Sequence, residues 1–372
     1  MSVAGRHGPP FRADHVGSLL RPAALRQAFR QFGVGEIDAA AFRRVQDEAI
    51  RAAVRLQEDI GLRVVTDGEF RRSSYWGRFV ERTAGFEIRS AAYTFRDEQG
   101  HELSFTTPYA AAKIRRMRAL ALDEFEFVRD AARVTAKITL PAPSTMQFWA
   151  GRQFADPKAY GDAQSFFADL ALVYQQEIAA LVAVGCHYLQ LDEVAIAMLC
   201  DPAVRERVQA EGQVPDALLG AYIGAINRAV AHCHPDMAVG VHLCRGNFKG
   251  HFLAAGSYEA VAERFFGEVK ATHFLLEYDT PRAGDFAPLR FVPKRKGVVL
   301  GLISTKSPTL ETVDALQRRI GEAARHIDLE RLAIGPQCGF ASTVAGNPLT
   351  EADQRAKLKR AVEVASQVWG SP

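Results

Sequence analysis

The chain has 372 residues, of which 48% are hydrophobic and 24% charged, and its formal net charge at pH 7 is +3. These fractions are typical of a soluble globular protein, and acids nearly balance the lysines and arginines, which argues against a nucleic-acid-binding surface. The first residues, MSVAGRHGPPFRADHVG, contain no apolar leader core, and no apolar run approaches the length of a membrane helix. The sequence therefore predicts a cytoplasmic protein without a nucleic-acid or membrane partner.

The central prediction concerns eight short β-rich runs that alternate with amphipathic stretches. Strands that alternate with helices imply a parallel sheet, and eight such units close a (β/α)8 TIM barrel. We therefore predict one α/β barrel domain over residues 1–372. The runs are residues 11–18, 62–69, 133–141, 188–194, 238–244, 273–279, 297–304 and 331–337. Helical spacing is clearest in residues 23–32, 42–60, 162–185 and 308–327.

Residues 85–130 interrupt this alternation between the second and third predicted barrel strands. The segments FEIRSAAYTF and HELSFTTPYA alternate in polarity around RDEQG, a pattern that indicates a β-hairpin. We expect the hairpin to be an insertion into the barrel. No internal repeat or low-complexity linker divides the chain.

The C-terminal ends of the predicted strands carry polar and metal-binding residues. Catalytic groups gather at this end of a TIM barrel, so these residues are expected to meet at one mouth. The residues that the argument uses are Ser18, Glu69, Asp192, His242, Cys244, Glu277, Lys306 and Cys338.

The segment VHLC suggests a metal site, because His242 and Cys244 are two residues apart and would point to the same side of a strand. Glu277 and Cys338 end neighbouring strands, and strands roughly 4.8 Å apart would allow all four side chains to reach one zinc ion. Buried cysteine is also common as a packing residue. Spacing alone therefore leaves a zinc site and a packing coincidence both open.

The other cysteines are expected to pack rather than to react. An odd count of five in a chain without a leader makes a disulfide framework improbable. The HCH segment at residues 232–234 ends a helix on the opposite side of the barrel from the expected site. Cys186 follows a helix-ending glycine, and Cys200 closes an apolar stretch.

Eight segments together resemble the cobalamin-independent methionine synthase family, specifically its short single-barrel members that correspond to the catalytic C-terminal half. The segments are DHVGS, VTDGEFRR, LPAPSTMQFW, YLQLDEVAI, VHLCRGN, FLLEYDTPRAG, STKSP and IGPQCGFAS. The resemblance implies an enzyme in which zinc binds a thiol, homocysteine in the namesake enzyme, that accepts a methyl group from a folate. It implies His242, Cys244, Glu277 and Cys338 as zinc ligands, with Glu277 the easiest to displace.

The resemblance also implies roles for residues around the metal. Ser18, Glu69 and Asp192 match positions that hold the polar ends of the amino acid, and Trp149 resembles a tryptophan lining the folate pocket. Asp192 and Lys306 are the expected catalytic residues. Lys306 stands where the full-length synthase has a histidine, so it could be an acid with a depressed pKa or could bind an anionic group.

We therefore predict a zinc-dependent transfer of a methyl group to a thiol, with homocysteine as acceptor and a folate or simpler compound as donor. An alternative uses another thiol, as epoxyalkane:coenzyme M transferase does. Glu69 and Asp192 suit an ammonium group, whereas Arg71, Arg72 and Lys306 are available for a sulfonate. A different class, uroporphyrinogen decarboxylase-like catalysis or a metal-free binding barrel, stays open because fold alone does not give function.

Overall fold

The computed structural model describes residues 8–96 and 100–372 of the chain. Residues 1–7, where the absence of a leader was expected, lie outside the described residues. Residues 97–99, within the expected RDEQG turn, also lie outside them.

The strands of the described residues coincide closely with the later predicted runs. They are β1 (Val64–Val65), β2 (Thr83–Arg96), β3 (Glu102–Arg116), β4 (Thr135–Ala136), β5 (Ile138–Pro141), β6 (Tyr188–Glu193), β7 (Ala238–Leu243), β8 (His273–Glu277), β9 (Gly297–Ile303) and β10 (Leu332–Pro336). Residues of β5 to β10 are buried throughout. Burial on both faces explains why these strands appear in the sequence as continuous apolar runs.

Helices lie between the strands of the described residues. They are α1 (Ala23–Gly33), α2 (Ala39–Ile60), α3 (Gly77–Glu81), α4 (Leu122–Ala131), α5 (Thr145–Phe148), α6 (Ala163–Ala183), α7 (Ala195–Met198), α8 (Pro202–Ala210), α9 (Pro215–Ala229), α10 (Glu259–Glu268), α11 (Val313–Ala323) and α12 (Glu351–Trp369). Short 3-10 helices span Gly151–Gln153, Val230–His232, Pro281–Ala283, Ala287–Phe291 and Leu329–Arg331. A side-chain cap begins five of the helices in the described residues, namely α2, α6, α8, α11 and α12. The side chain of Asp38 caps α2, and Thr350 and Asp353 form a capping box on α12.

A six-stranded parallel sheet in the order β10-β9-β8-β7-β6-β5 forms the centre of the fold. Each strand pairs in parallel with its neighbour, and Asp192 in β6 lies opposite His242 in β7. The carboxyl ends of these strands therefore lie on one edge. This arrangement confirms the predicted α/β fold with a parallel sheet.

The first two predicted runs form little regular strand. β1 pairs in parallel only with β4, and Ala13 forms an isolated bridge with Ile334 of β10. Gly17 has φ 135, a backbone conformation outside the strand region, and its carbonyl accepts a hydrogen bond from Thr66 Oγ1 at 2.6 Å. Among the described residues, strand pairing therefore does not connect all eight predicted runs into one continuous sheet.

β2 and β3 form a separate antiparallel pair between β1 and β4. They contain the two alternating segments of the sequence except for His101, and they extend further, from residue 83 to residue 116. The register shifts twice, between Ala84 and Phe86 and between Ser90 and Thr94. Such bulges bend a strand and can re-aim its side chains.

Helix α6 is long and apolar enough to cross a membrane by length and composition, which the sequence analysis did not expect. Half of its most apolar window is buried inside the protein, and the helix packs against α9 and β3. The buried carboxylate of Glu177 accepts hydrogen bonds from the Arg116 guanidinium and from the backbone N–H groups of residues 120–122. These contacts are those of a core helix.

The Glu177 contacts generate a prediction about stability. Glu177→Ala leaves the Arg116 guanidinium and three backbone donors without their acceptor, so we expect the free energy of unfolding to fall by about 3–5 kcal/mol. Urea denaturation followed by circular dichroism measures the change. Glu268→Ala is the matched control, because it removes an exposed ion pair with Arg264 and should cost less than about 1 kcal/mol. Equal losses in both variants would contradict the assigned role.

Candidate metal centre and substrate cavity

His242, Cys244 and Cys338 converge at the carboxyl ends of β7 and β10. All three are buried, and one ligand atom from each lies within 4.8 Å of the other two. The Sγ atoms of Cys244 and Cys338 are 3.3 Å apart. His242 Nδ1 lies 3.1 Å from the Leu275 carbonyl oxygen, a contact that makes Nδ1 the donor and directs Nε2 at the thiols as an acceptor.

The metal-binding character of this cluster is supported by an orphaned atom. His242 Nε2 is buried and has no hydrogen-bond partner among the described residues. The other ring nitrogen, Nδ1, is held by the Leu275 carbonyl oxygen. This contact fixes the ring orientation, as is usual for a metal-binding histidine. One imidazole nitrogen and two thiols form a donor set that zinc prefers. The three residues therefore fit a zinc ion.

The backbone around the two cysteines explains how they approach. The Cys244 amide extends the ladder of β7 by donating to the Glu193 carbonyl, and Gly246 turns the chain with φ 95. A Cβ atom on Gly339 would lie 1.9 Å from Ser18 Oγ. Glycine is thus required after Cys338, because any side chain would push this loop away from Ser18.

The Cys244 thiol shares a hydrogen bond with the Cys338 thiol, 3.3 Å away. The hydrogen bond shared with Cys338, together with burial, holds the pKa of the Cys244 thiol well above its ordinary value, although His242 opposes this. Burial lowers the pKa of His242, but the Cys244 thiol and the Asp192 carboxylate raise it, and the net direction is upward. Negative charge on both sulfurs would therefore need a bound cation.

Glu277 lies next to this cluster but is not part of it. Its Oε1 accepts hydrogen bonds from Lys306 Nζ at 3.1 Å and from the Arg282 guanidinium at 3.2 Å, and its Oε2 accepts from the Arg245 amide at 2.9 Å. Burial raises the pKa of Glu277, but these positive charges bring it down to about 2. The fourth expected ligand is thus an anion already held by the protein.

The structure does not give Lys306 the depressed pKa considered from the sequence. Burial lowers the pKa of Lys306, but the carboxylates of Glu277 and Asp279 raise it further, and the net direction is upward. Of the two possibilities that the sequence leaves open for Lys306, the depressed pKa is therefore not supported, because the sequence does not show which acids surround the lysine. The ammonium group is therefore a partner of Glu277 in a buried ion pair.

Glu69 and Asp192 face the same cavity. Glu69 has φ 60, its Oε1 accepts from Thr139 Oγ1 at 2.8 Å, and its buried Oε2 lacks a partner among the described residues. Asp192 Oδ1 accepts from Gln190 Nε2 at 2.7 Å. Burial and the nearby charge of Glu69 raise the pKa of Asp192 to about 7. A cationic group placed between the two carboxylates would relieve this repulsion.

A cavity of about 780 Å³ joins these groups. Its lining includes the three residues of the metal cluster and four of the expected substrate contacts, namely Ser18, Glu69, Trp149 and Asp192. Strands β2 and β3 contribute Phe86, Ile88, Phe95 and Phe105 to another part of its lining. The side chains at the sheet edge therefore share a space large enough for two small molecules.

Other sequence expectations lie away from the cavity. Cys186 and Cys200 are buried in the apolar core, and Cys233 in the HCH segment is partly buried against it. The HCH segment is not among the metal-binding groups found in the described residues.

Arg71 donates to Asp47 at 2.6 Å, and Arg72 donates to Glu124 at 2.7 Å. Neither arginine lines the cavity.

Sequence reasoning missed a group of amides that holds the loops together. Asn247 donates to the carbonyl of Gly339 and to Thr305 Oγ1, each at 2.9 Å, and it accepts from Asn347 at 2.9 Å. Gln337 accepts from the Thr305 amide at 2.6 Å. The sign of this role in the sequence was the position of Asn247, which follows Cys244 closely in VHLCRGN. Its hydrogen-bond partners come from distant loops, so the sequence could not show them.

Comparison with known proteins agrees with the geometry. The family model described as the cobalamin-independent synthase catalytic domain matches residues 11–367. The chain belongs to the cobalamin-independent methionine synthase family. The match covers nearly the whole chain, including the elements that carry the three-residue cluster.

Several relatives share this family architecture. The chain is 40% identical to the Bacillus subtilis protein YxjH, described as uncharacterized, over 97% of this chain and 95% of that protein. It is 29% identical to a methionine synthase of Pyrococcus abyssi, over 89% and 87%. A crystal structure of a putative vitamin-B12-independent methionine synthase from Listeria monocytogenes has a TM-score of 0.75 and 31% identity, with 98% and 99% of the chains covered.

A second solved structure is similar in fold. It is a B12-independent methionine synthase from a Shewanella species in complex with selenomethionine, with a TM-score of 0.74, 20% identity and coverage of 96% and 97%. At this identity the likeness supports the fold alone.

Glu193 behind the cavity yields a prediction of pH dependence. Ser144 Oγ and the Ile196 amide donate to its carboxylate at 2.5 and 2.8 Å, yet burial raises its pKa to about 7. Between the unfolded pKa, about 4.3, and pH 7, the folded state binds more protons than the unfolded state, so this group makes stability fall as pH rises. Glu193→Gln cannot ionise, and its stability relative to the parent should increase from pH 5 to pH 8 by roughly 1–3 kcal/mol.

Urea denaturation of both proteins at several pH values measures this difference. Glu268→Gln, at an exposed ion pair, serves as the control and should show little change with pH. A constant difference between Glu193→Gln and the parent across this pH range would contradict the raised pKa.

Proposed function

We propose that the protein is a zinc-dependent methyltransferase that moves a methyl group to the thiol of homocysteine and forms methionine. The observation that carries this proposal is the convergence of His242 Nε2 with two thiols 3.3 Å apart in a cavity of substrate size. Membership of the cobalamin-independent methionine synthase family supports methyl transfer to homocysteine.

His242, Cys244 and Cys338 would hold the zinc ion, and Glu277 would be the exchangeable fourth ligand. The bound metal would favour the deprotonated, nucleophilic form of the substrate thiol. Lys306 and Arg282 neutralise Glu277 when its carboxylate is not a ligand, because both donate to Oε1. These two contacts would keep the buried carboxylate of Glu277 paired whether or not it is a metal ligand.

Glu69 and Asp192 would bind the ammonium group of homocysteine. Glu69 Oε2 is buried and without a partner among the described residues, so an N–H donor placed there gains a charge-assisted hydrogen bond. Ser18, on the same side of the cavity as Cys338, would contact the polar end of the amino acid.

The alternative acceptor is an anionic thiol of the coenzyme M type. It would require a basic side chain in the cavity, and the candidates Arg71, Arg72 and Lys306 each have an acidic partner elsewhere. None of these three lines the cavity. The carboxylates of Glu69 and Asp192 would repel a sulfonate. The geometry thus favours the amino-acid thiol.

We also propose that the parallel segments close into a single (β/α)8 barrel domain with β2 and β3 as an insertion. Hydrogen bonds between residues 12–14 and Ile334 support closure at one edge, and the Leu19 amide donates to the Gly68 carbonyl at 3.1 Å near the other. The Lys137 amide donates to Val65, which links β1 to the chain between β4 and β5.

The metal assignment predicts that Cys338→Ala lowers the zinc content of the purified protein and abolishes methyl transfer. Loss of one thiolate removes a ligand from a site at strand ends, so the fold should persist. Metal analysis, circular dichroism and a methionine-formation assay measure the three properties. Cys200→Ala is the matched control, because Cys200 is a buried cysteine of the apolar core. Full zinc content and normal turnover in Cys338→Ala would refute the assignment.

The acceptor assignment predicts that Asp192→Asn raises the KM for homocysteine about tenfold, since one charge-assisted hydrogen bond is lost. A thiol of similar size without an amino group should show little change in KM. Initial rates at varied thiol concentration measure both. Efficient use of an anionic thiol, impaired strongly by Lys306→Ala or Arg71→Ala, would instead favour the coenzyme M alternative.

A further inference from the structure

A continuous series of aromatic rings lines one wall of the cavity. Trp149 packs edge-on against Phe105, with 5.5 Å between ring centroids, and Phe105 packs edge-on against Phe95 at 4.9 Å. Phe95 in turn lies 5.4 Å from Phe248. These four side chains, here called the aromatic wall, line the same cavity as Cys244.

The charged groups of the cavity are acidic. Glu69 and Asp192 lie near the metal cluster, and the exposed Glu81 also lines the cavity. No lysine or arginine side chain within the described residues contributes to the lining. A lining with carboxylates and no described lysine or arginine side chain disfavours an anionic donor even when Glu69 and Asp192 hold the ammonium group of the acceptor. Aromatic faces bind sulfonium and quaternary ammonium groups through cation–π attraction.

We propose that the methyl donor is a cation in which the methyl group is attached to a positively charged atom, that is, a sulfonium or a quaternary ammonium compound, bound against the aromatic wall. The inference rests on the proposed methyl transfer to homocysteine and specifies its second substrate. A folate with its glutamate carboxylates has the opposite charge and would meet no basic side chain among the described lining residues.

Transfer from a sulfonium balances without an added acid. The thiolate sulfur of the acceptor forms a bond to the methyl carbon while the carbon–sulfur bond of the donor breaks, and its electron pair stays on the donor sulfur. The negative charge of the thiolate and the positive charge of the sulfonium cancel, and two neutral thioethers result. The thiol proton has already passed to solvent when the thiolate forms.

A folate nitrogen, in contrast, must gain a proton as it leaves. Lys306 occupies the sequence position considered for that proton donor, but its Nζ donates to Glu277 at 3.1 Å and it does not line the cavity. A donor that leaves as a neutral thioether or tertiary amine needs no such group. The position of Lys306 and the charge of the cavity therefore favour the same donor class.

The test offers zinc-loaded protein four methyl donors with homocysteine, each labelled with deuterium in the methyl group. The donors are S-methylmethionine, trimethylsulfonium, tetramethylammonium and methyltetrahydrofolate with a glutamate tail. Mass spectrometry measures labelled methionine. We expect transfer from a sulfonium at least tenfold faster than from the folate. Transfer from tetramethylammonium alone would support the same binding chemistry and assign it to quaternary ammonium.

The outcomes separate the donor from the proposed function. Faster transfer from the folate would overturn the donor proposal and leave methionine formation standing. Labelling of 2-mercaptoethanesulfonate but not of homocysteine by a sulfonium, in a parallel assay, would keep the donor and overturn the acceptor. Absence of transfer from both cationic classes would overturn the donor proposal. Zinc content and homocysteine binding, measured in the same samples, would then show whether the proposed metal site and acceptor still stand.

Variants of the aromatic wall provide an independent readout. Trp149→Leu should raise the KM for the cationic donor about tenfold and that for homocysteine less than twofold, and Trp149→Phe should restore part of the loss. Trp369→Leu, at the end of α12 outside the cavity, is the matched control. Phe105→Leu carries the same expectation if Trp149→Leu does not fold. An unchanged donor KM in folded wall variants would overturn the assignment of the wall.

Discussion

The approach of two thiols to 3.3 Å is the constraint on which the rest of the site depends. Cys244 and Cys338 follow β7 and β10, which are separated in the sheet by β8 and β9. Their loops must therefore bend inward over the sheet edge. Gly339 permits this because its missing side chain leaves room for Ser18, and Asn247 fixes the same loops by bonding to the Gly339 carbonyl. The cluster is thus a product of loop packing as much as of strand order.

Charge around this cluster is divided into two groups with different effects. Glu277 is balanced by Lys306 and Arg282, so it adds little net charge to its surroundings. Glu69 and Asp192 face the cavity, and the salt bridge from Arg72 to Glu69 Oε1, at 3.5 Å, leaves Oε2 without a partner among the described residues. The second group therefore presents negative charge to whatever enters. The position of each carboxylate therefore decides whether the protein neutralises it, as it does Glu277, or a substrate can neutralise it, as with Glu69 and Asp192.

The sequence predicted the part of the fold that burial alone determines. The last five runs became β6 to β10 within one or two residues, because strands buried on both faces are apolar throughout. The run at 11–18 did not, since Gly17 leaves the strand conformation and the pairing of this run with β10 is an isolated bridge at Ala13. The pairing of His242 with two cysteines was visible as spacing at strand ends. The raised pKa of Lys306 was not, because Asp279 and Glu277 approach it only in the folded chain.

The two parts of the cavity come from different parts of the chain. The thiol cluster and the acids lie at the edge of the parallel sheet, whereas Phe95 and Phe105 of the aromatic wall lie on β2 and β3. Two register shifts interrupt that antiparallel pair, and such bulges bend a strand and can re-aim its side chains. Changes in β2 and β3 could therefore alter the wall without moving a single side chain of the metal cluster. The metal cluster and the aromatic wall are therefore built from separate segments of one chain, and a change in one segment need not disturb the other.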